Sequence, residues 1–190
     1  MVEKPFRNLM NKLVILDRDG VINEDSDNYI KSVDEWIPIP GSAEAIAQLS
    51  SAGYLVAVAT NQSGIARNYF SLETLKAMHN KMEALVNAAG GHIDGIFFCP
   101  HGPDDRCQCR KPSPGLITQI EKHFGQSAEG AFIVGDSKRD LEAGLARGCT
   151  PILVRTGKGE RTLAKGLDIE NVIIVDDLQA AATYILTANQ

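Results

Sequence analysis

Long apolar runs are missing from this 190-residue chain. Nothing approaches the ~18 consecutive apolar residues of a membrane-crossing helix. Only Leu13-Val14-Ile15-Leu16 is continuously apolar ahead of Asp17, too short for a signal-peptide core, so a cytoplasmic protein is expected. Basic residues are also scarce: 19 Lys and Arg stand against 24 Asp and Glu, and aromatics make up 6%. A basic groove interleaved with aromatics, as nucleic acid requires, is therefore not expected. A small anion needs only a few local cations, so phosphate chemistry stays open. Cysteines number four, and their usage suits a reducing compartment. Internal repeats, low-complexity tracts and interdomain linkers are lacking too, which leaves one domain over residues 1–190. No sustained exposed apolar stripe is left once core helices are assigned, and a monomer is expected.

What is present alternates between strand and helix. Residues 13–16, 54–59, 131–134, 152–154 and 172–175 are apolar and rich in β-branched residues, as inner strands of a parallel sheet are. Residues 93–98 add a short strand. Between them, amphipathic spacing predicts helices after Gly41-Ser42, after Ser71 (Leu72, Leu75, Met78, Met82, Leu85, Val86), from Pro114, over 138–146 and near 178–186. Residues 22–40 are irregular. Trp36 within them reads as a packing anchor, His79 as a structural residue and Cys149 as a small buried one. The expected fold is α/β: a Rossmann-like three-layer α/β/α core with a mainly parallel sheet.

Chemistry gathers at strand ends. Asp17 and Asp19 follow the first strand two residues apart, on one side of an extended backbone where they can share a cation. Ligands of open parallel sheets bind outside the carboxyl ends of the strands. Thr60-Asn61-Gln62-Ser63-Gly64 follows the second strand, and Gly135-Asp136-Ser137-Lys138-Arg139-Asp140 the strand over 131–134. Arg110-Lys111-Pro112 lies between them. Cys99, His101, Cys107 and Cys109 fall within eleven residues, a Cys₃His set suited to tetrahedral structural zinc. A disulfide is the weaker reading: one of the three cysteines stays unpaired, and Cys107–Cys109 closes a strained loop. Zinc held in loop 99–109 would fix Arg110 and Lys111 over the sheet edge.

These four segments, in this order, resemble the motifs of the haloacid dehalogenase superfamily. The wording DRDGVIN, TNQSGIAR, the Cys/His loop and CRKP is similar to the heptose-bisphosphate phosphatase family, with histidinol-phosphate phosphatases close by. The resemblance covers about residues 13–157. It implies a minimal cap and an aspartyl-phosphate mechanism with Asp17 as nucleophile and Asp19 as acid and then base. It implies Mg2+ held by Asp17, the Asp19 main-chain carbonyl and Asp136. Thr60 would bind the transferring phosphoryl group, with an amide from Asn61, and Lys111 would neutralise it. Asp140 would orient Lys111 or support the metal; an ordinary first-turn helix acid is the competing reading.

On this resemblance the substrate is D-glycero-D-manno-heptose 1,7-bisphosphate, cleaved at the 7-phosphate on the way to lipopolysaccharide or other heptose glycans. Arg110 suits the second phosphate. Asp25, Asp27 and Asn28, with Gln62 and Ser63 opposite, would contact sugar hydroxyls, unless 25–28 is a turn cluster without a ligand. Ser137 stands where the family often has Lys. Histidinol-phosphate hydrolysis is the nearest rival, a nucleic-acid 3′-phosphatase a distant one, and a zinc-stabilised binding module the non-enzyme alternative.

Overall fold

The computed structural model describes residues 11–188. Six strands are present: β1 (Leu13–Leu16), β2 (Leu55–Asn61), β3 (Gly95–Cys99), β4 (Phe132–Gly135), β5 (Thr150–Val154) and β6 (Ile173–Val175). They form one sheet in the order β3-β2-β1-β4-β5-β6, and every pairing is parallel. The helices are α1 (Ser42–Ser51), α2 (Leu72–Ala88), α3 (Gly115–Phe124), α4 (Lys138–Leu145), α5 (Gly159–Ala164) and α6 (Leu178–Ala188). None is long and apolar enough to cross a membrane.

Alternation along β1 explains the three layers. Val14 and Leu16 pack into one apolar cluster with Ile46, Leu75, Met78 and Ile185, from α1, α2 and α6. Leu13 and Ile15 point to the other face, toward Leu116, Ile117, Ile120 and Ala143 of α3 and α4. Side chains two apart share a face of a strand, so a strand covered on both sides must be apolar at every position. All four β1 residues are fully buried.

The chain leaves β1 toward β2 on one side, and β4 lies on the other. This doubly wound order has its crevice where the winding reverses, between β1 and β4. The Asp17 amide donates to Val134 O at 2.9 Å across that point. Residues 22–40 fold back over the sheet edge as a small flap: Asn23 bridges Pro38, and the Glu24 amide donates to Ile37 O at 2.8 Å. Trp36 anchors the flap, fully buried, with the Lys81 ammonium over its ring.

Two details depart from the sequence expectation. Pro114 is the N-cap of α3 rather than its first residue. Helix α5, only six residues long, carries too little periodicity to be read from the chain.

Candidate active site

Loops after β1, β2, β3, β4 and β5 surround a cleft of about 280 Å³. Asp17, Asp19, Thr60, Asn61, Gln62, Ser63, Arg110, Lys111, Asp136 and Asp140 all line it. Two glycines allow the loops to close this tightly. Gly20 (φ 82°) and Gly157 (φ 57°) adopt backbone open mainly to glycine. A Cβ on either would run into the Asp136 carboxylate.

Lys111 sits at the centre. Its ammonium meets Asp17 Oδ1 at 2.9 Å, Asp140 Oδ1 at 2.7 Å and Ala59 O at 2.7 Å. Three acceptors use all three of its donors. Burial works against its charge, but the Asp140 and Asp17 carboxylates outweigh burial and hold its pKa above the ordinary value. Its backbone is pinned by Asn61, whose Oδ1 accepts from the Lys111 amide at 3.0 Å and whose Nδ2 donates to Lys111 O at 3.1 Å. The Asn61 side chain therefore holds the β2 end against the Arg110-Lys111 segment.

Both readings of Asp140 hold together. One oxygen takes Lys111, and the other accepts from the Ser137 amide at 3.0 Å and hydroxyl at 2.6 Å as a capping box for α4. Ser137 serves this cap.

Asp17 Oδ1 accepts from the Arg18 amide at 2.8 Å as well as from Lys111. Among the described residues, Oδ2 has no hydrogen-bond donor. Burial and the neighbouring Asp140 charge, only partly offset by Lys111, push the Asp17 pKa to about 7. Burial, with Asp140 and Asp17 beside it, pushes Asp136 to about 8. Two buried carboxylates that resist ionisation mark a place where a cation is wanted. Ligand oxygens of Asp17, Asp136 and Asp140 lie within 4.8 Å of one another. Both Asp140 oxygens are taken, one by Lys111 and the other by Ser137, whereas Asp17 keeps Oδ2 open, so Asp17 and Asp136 are the carboxylates left for a hard divalent ion.

Asp19 differs from these acids. Burial pushes its pKa up, but the Arg18 guanidinium and hydrogen bonds from Asn23 and Gln62 overcome that and hold it below the usual range. Asn23 Nδ2 donates to Asp19 Oδ1 at 2.9 Å and Gln62 Nε2 to Oδ2 at 2.8 Å. Gln62 Nε2 also donates to Thr60 Oγ1 at 2.9 Å, leaving the buried Thr60 hydroxyl its own proton to donate.

Several expected sugar contacts have other partners. The Gln62 amide nitrogen is engaged by Asp19 and Thr60 rather than presented to a ligand. Asp25 pairs with Lys158, and Asp27 makes a two-point ion pair with Arg161, both bonds 2.9 Å. Asn28 is not among the cleft-lining residues; its amide is closed onto Ser26 Oγ at 3.1 Å, as in a turn cluster. Sequence reasoning missed Arg18, Asn23, Lys158 and Arg161. Lys158 follows β5, so the strand-end rule that singled out Asp17 would have found it.

The Cys/His loop leads into the cleft. Cys99 Sγ lies 3.6 Å from Cys107 Sγ, 3.2 Å from Cys109 Sγ and 3.6 Å from His101 Nδ1. Sulfurs bound tetrahedrally at 2.3 Å stand ~3.8 Å apart, so this cluster has nearly the size of a closed zinc site. All four cysteines are free. Burial acts upward on Cys107, yet hydrogen bonding from the Arg110 backbone and neighbouring thiols brings it down to about 7. Burial pushes Cys99 up to about 12 and raises Cys109, so without a metal the set carries a single thiolate-leaning thiol. Arg110 Nη1 donates to His101 O at 3.3 Å, which ties the guanidinium to the loop.

Strand-end carboxylates around a lysine on a parallel sheet define the class, a haloacid-dehalogenase-like hydrolase. A family model described as "HAD-hyrolase-like" matches residues 108–181. The chain is 61% identical over 175 residues to D-glycero-beta-D-manno-heptose-1,7-bisphosphate 7-phosphatase of Pseudomonas putida, covering 92% of this chain and 99% of that protein. It is 54% identical to the enzyme of that name from Neisseria meningitidis, covering 94% and 96%. The crystal structure of D,D-heptose 1,7-bisphosphate phosphatase from B. bronchiseptica, complexed with magnesium and phosphate, superposes with a TM-score of 0.90 at 50% identity, covering 93% of this chain and 98% of that one. The chain belongs to this heptose-bisphosphate phosphatase family and is a phosphoric monoester hydrolase.

Proposed function

We propose that this chain removes the 7-phosphate of D-glycero-D-manno-heptose 1,7-bisphosphate, supplying a precursor for lipopolysaccharide or a related heptose glycan. The observation that carries the reading is the Asp17 carboxylate in the cleft, anchored through one oxygen and open at the other. Relatives named for this reaction, 54–61% identical, support the substrate.

Asp17 attacks phosphorus and the bond to the sugar oxygen breaks, giving an aspartyl-phosphate. Asp19 is held below the usual carboxylate range by Arg18 and its hydrogen bonds. It takes up a proton as the phosphate dianion enters beside it and gives that proton to the departing alkoxide. It then takes a proton from water, whose oxygen attacks phosphorus and frees Asp17 and inorganic phosphate. Thr60 donates to the phosphoryl oxygens, and Lys111 balances the negative charge of Asp17 and Asp140. Asp17, Asp136 and the Asp19 carbonyl would hold Mg2+, which supplies charge neutralisation at the phosphoryl group. Arg110, beside Lys111 on the cleft wall, takes the second phosphate through its planar fork. Phosphorus NMR on the products checks the regiochemistry: heptose 1-phosphate with inorganic phosphate is expected, and heptose 7-phosphate would contradict the reading.

Protons and Mg2+ compete for the same oxygens. Asp17 at about 7 and Asp136 at about 8 lie above their ordinary 3.8. The folded state therefore holds more protons than the unfolded one between those values, and metal-free stability falls as pH rises through that window. Asp19 and Asp140 are shifted down; their contribution is lost only under more acidic conditions. Magnesium should raise Tm much more at about pH 8.5 than at about pH 6. Equal shifts in paired melts would contradict the assignment.

Zinc in the Cys99, His101, Cys107, Cys109 site would be structural. Stripping it with a chelator should loosen Arg110 and raise KM for the bisphosphate about tenfold or more, an effect expected of lost orientation. An unchanged KM in the zinc-free enzyme would remove the loop from substrate binding. A monomer is also proposed, on the reading that no sustained exposed apolar stripe is left once the core helices are assigned.

A further inference from the structure

Arg18 lies between the two motif acids, yet it is absent from the cleft lining and its side chain is fully buried. It has no access to substrate. Its guanidinium grips Asp19 instead: Nε meets Oδ1 at 3.1 Å, and Nη2 meets Oδ1 at 2.8 Å and Oδ2 at 3.1 Å. The remaining nitrogen, Nη1, lies 3.4 Å from Nε2 of His79. His79 is on α2, between the core residues Met78 and Met82, and its ring packs edge-on against Phe98, 6.0 Å between centroids. A neutral imidazole with its proton on Nδ1 can accept there. Burial, with the Arg18 charge beside it, lowers its pKa to about 4 and keeps it in that form.

A buried cation is costly unless its donors are satisfied. Asp19 satisfies one side of the Arg18 fork and His79 the other. With Asn23 and Gln62 also on Asp19, the carboxylate is fixed in both position and plane.

We propose that His79 is a positioning residue: through Arg18 it sets the orientation of the Asp19 carboxylate for proton transfer to the leaving oxygen. The inference rests on the reading of Asp19 as acid and base. Its reach runs from a helix in the core to the reacting groups, through one guanidinium and without touching substrate.

His79→Leu removes the acceptor while keeping an apolar side chain. Its kcat on the bisphosphate should fall about tenfold to a hundredfold, the usual loss when an orienting partner is removed. KM should stay within about twofold, because Arg110 and Lys111 are untouched. His79→Asn or His79→Gln, which can still present an acceptor, should recover much of the rate. Arg18→Lys keeps the charge but loses the fork, so it should show the same kcat-only defect.

The leaving group supplies a second readout. p-Nitrophenolate departs without a proton, so kcat/KM for p-nitrophenyl phosphate should fall much less than for the sugar ester. A structural role predicts something else: both substrates decline together, in step with the folded fraction seen by circular dichroism, with no rescue by Asn or Gln. That result, or an unchanged kcat in folded His79→Leu, overturns the proposal. If His79→Leu does not fold, the Asn and Arg18→Lys variants carry the same comparison. Wild-type turnover of the bisphosphate is measured first; its absence would overturn the functional reading itself.

Discussion

Asp17→Asn should fold as the parent does and lose turnover by roughly 10⁴-fold or more, on the scale of deleting a covalent nucleophile. The amide is nearly isosteric, so packing at the end of β1 is kept. It also removes one of the mutually repelling buried carboxylates that raise the Asp136 pKa. Thermal stability without metal should therefore match or exceed that of the parent, while the aspartyl-phosphate cannot form. Rapid-quench trapping of a phosphorylated chain, present in the parent and absent in the variant, would tie the rate loss to the covalent step. Near-full activity of the variant would remove Asp17 from the chemistry.

Lys111→Met should be the most damaging change to stability within the site. The ammonium neutralises Asp17 and Asp140 at 2.9 and 2.7 Å, with Asp136 close by. Taking one partner from a buried charge pair costs about 3–5 kcal/mol. For a chain of this length that is roughly a 6–20 °C drop in Tm, at about 2–4 °C per kcal/mol. The loss should be greatest at neutral and higher pH and smaller in acid, where the stranded carboxylates protonate. Adding Asp140→Asn should restore part of the stability, because one unpaired charge is removed, but none of the activity. A single variant with parental Tm would show that the triad of charges is not held as described.

Much of this site was legible because it is built on strand ends. β1, β2 and β4 are apolar on both faces, so their limits stand out, and the polar residues that follow had to meet at the sheet's carboxyl edge. Cys99, His101, Cys107 and Cys109 were legible as a candidate metal-binding set from spacing alone, and their ligand atoms do converge. Side-chain commitment was not legible. Gln62 and Asp25 look like free polar loop residues in the chain, yet one holds Asp19 and the other is paired with Lys158, 133 positions away. Nothing in the chain singles out Arg18; only the tertiary structure shows it buried, with its guanidinium reaching His79 of α2. Helix α5 was too short to display a period, so its residues Arg161 and Thr162, the latter donating to Asp136 O at 2.9 Å, were invisible with it.

The most direct test of the account is kcat/KM with magnesium, measured side by side on heptose 1,7-bisphosphate, histidinol phosphate and fructose 1,6-bisphosphate. The account predicts a strong preference for the heptose bisphosphate over histidinol phosphate, on the order of a hundredfold or more, since a site built for a second phosphate penalises a substrate lacking it; fructose 1,6-bisphosphate, which carries both phosphates, tests the sugar contacts instead. That preference should shrink in Arg110→Ala through KM. Equal or better turnover of histidinol phosphate would contradict the substrate while leaving Asp17 and Asp19 in their roles.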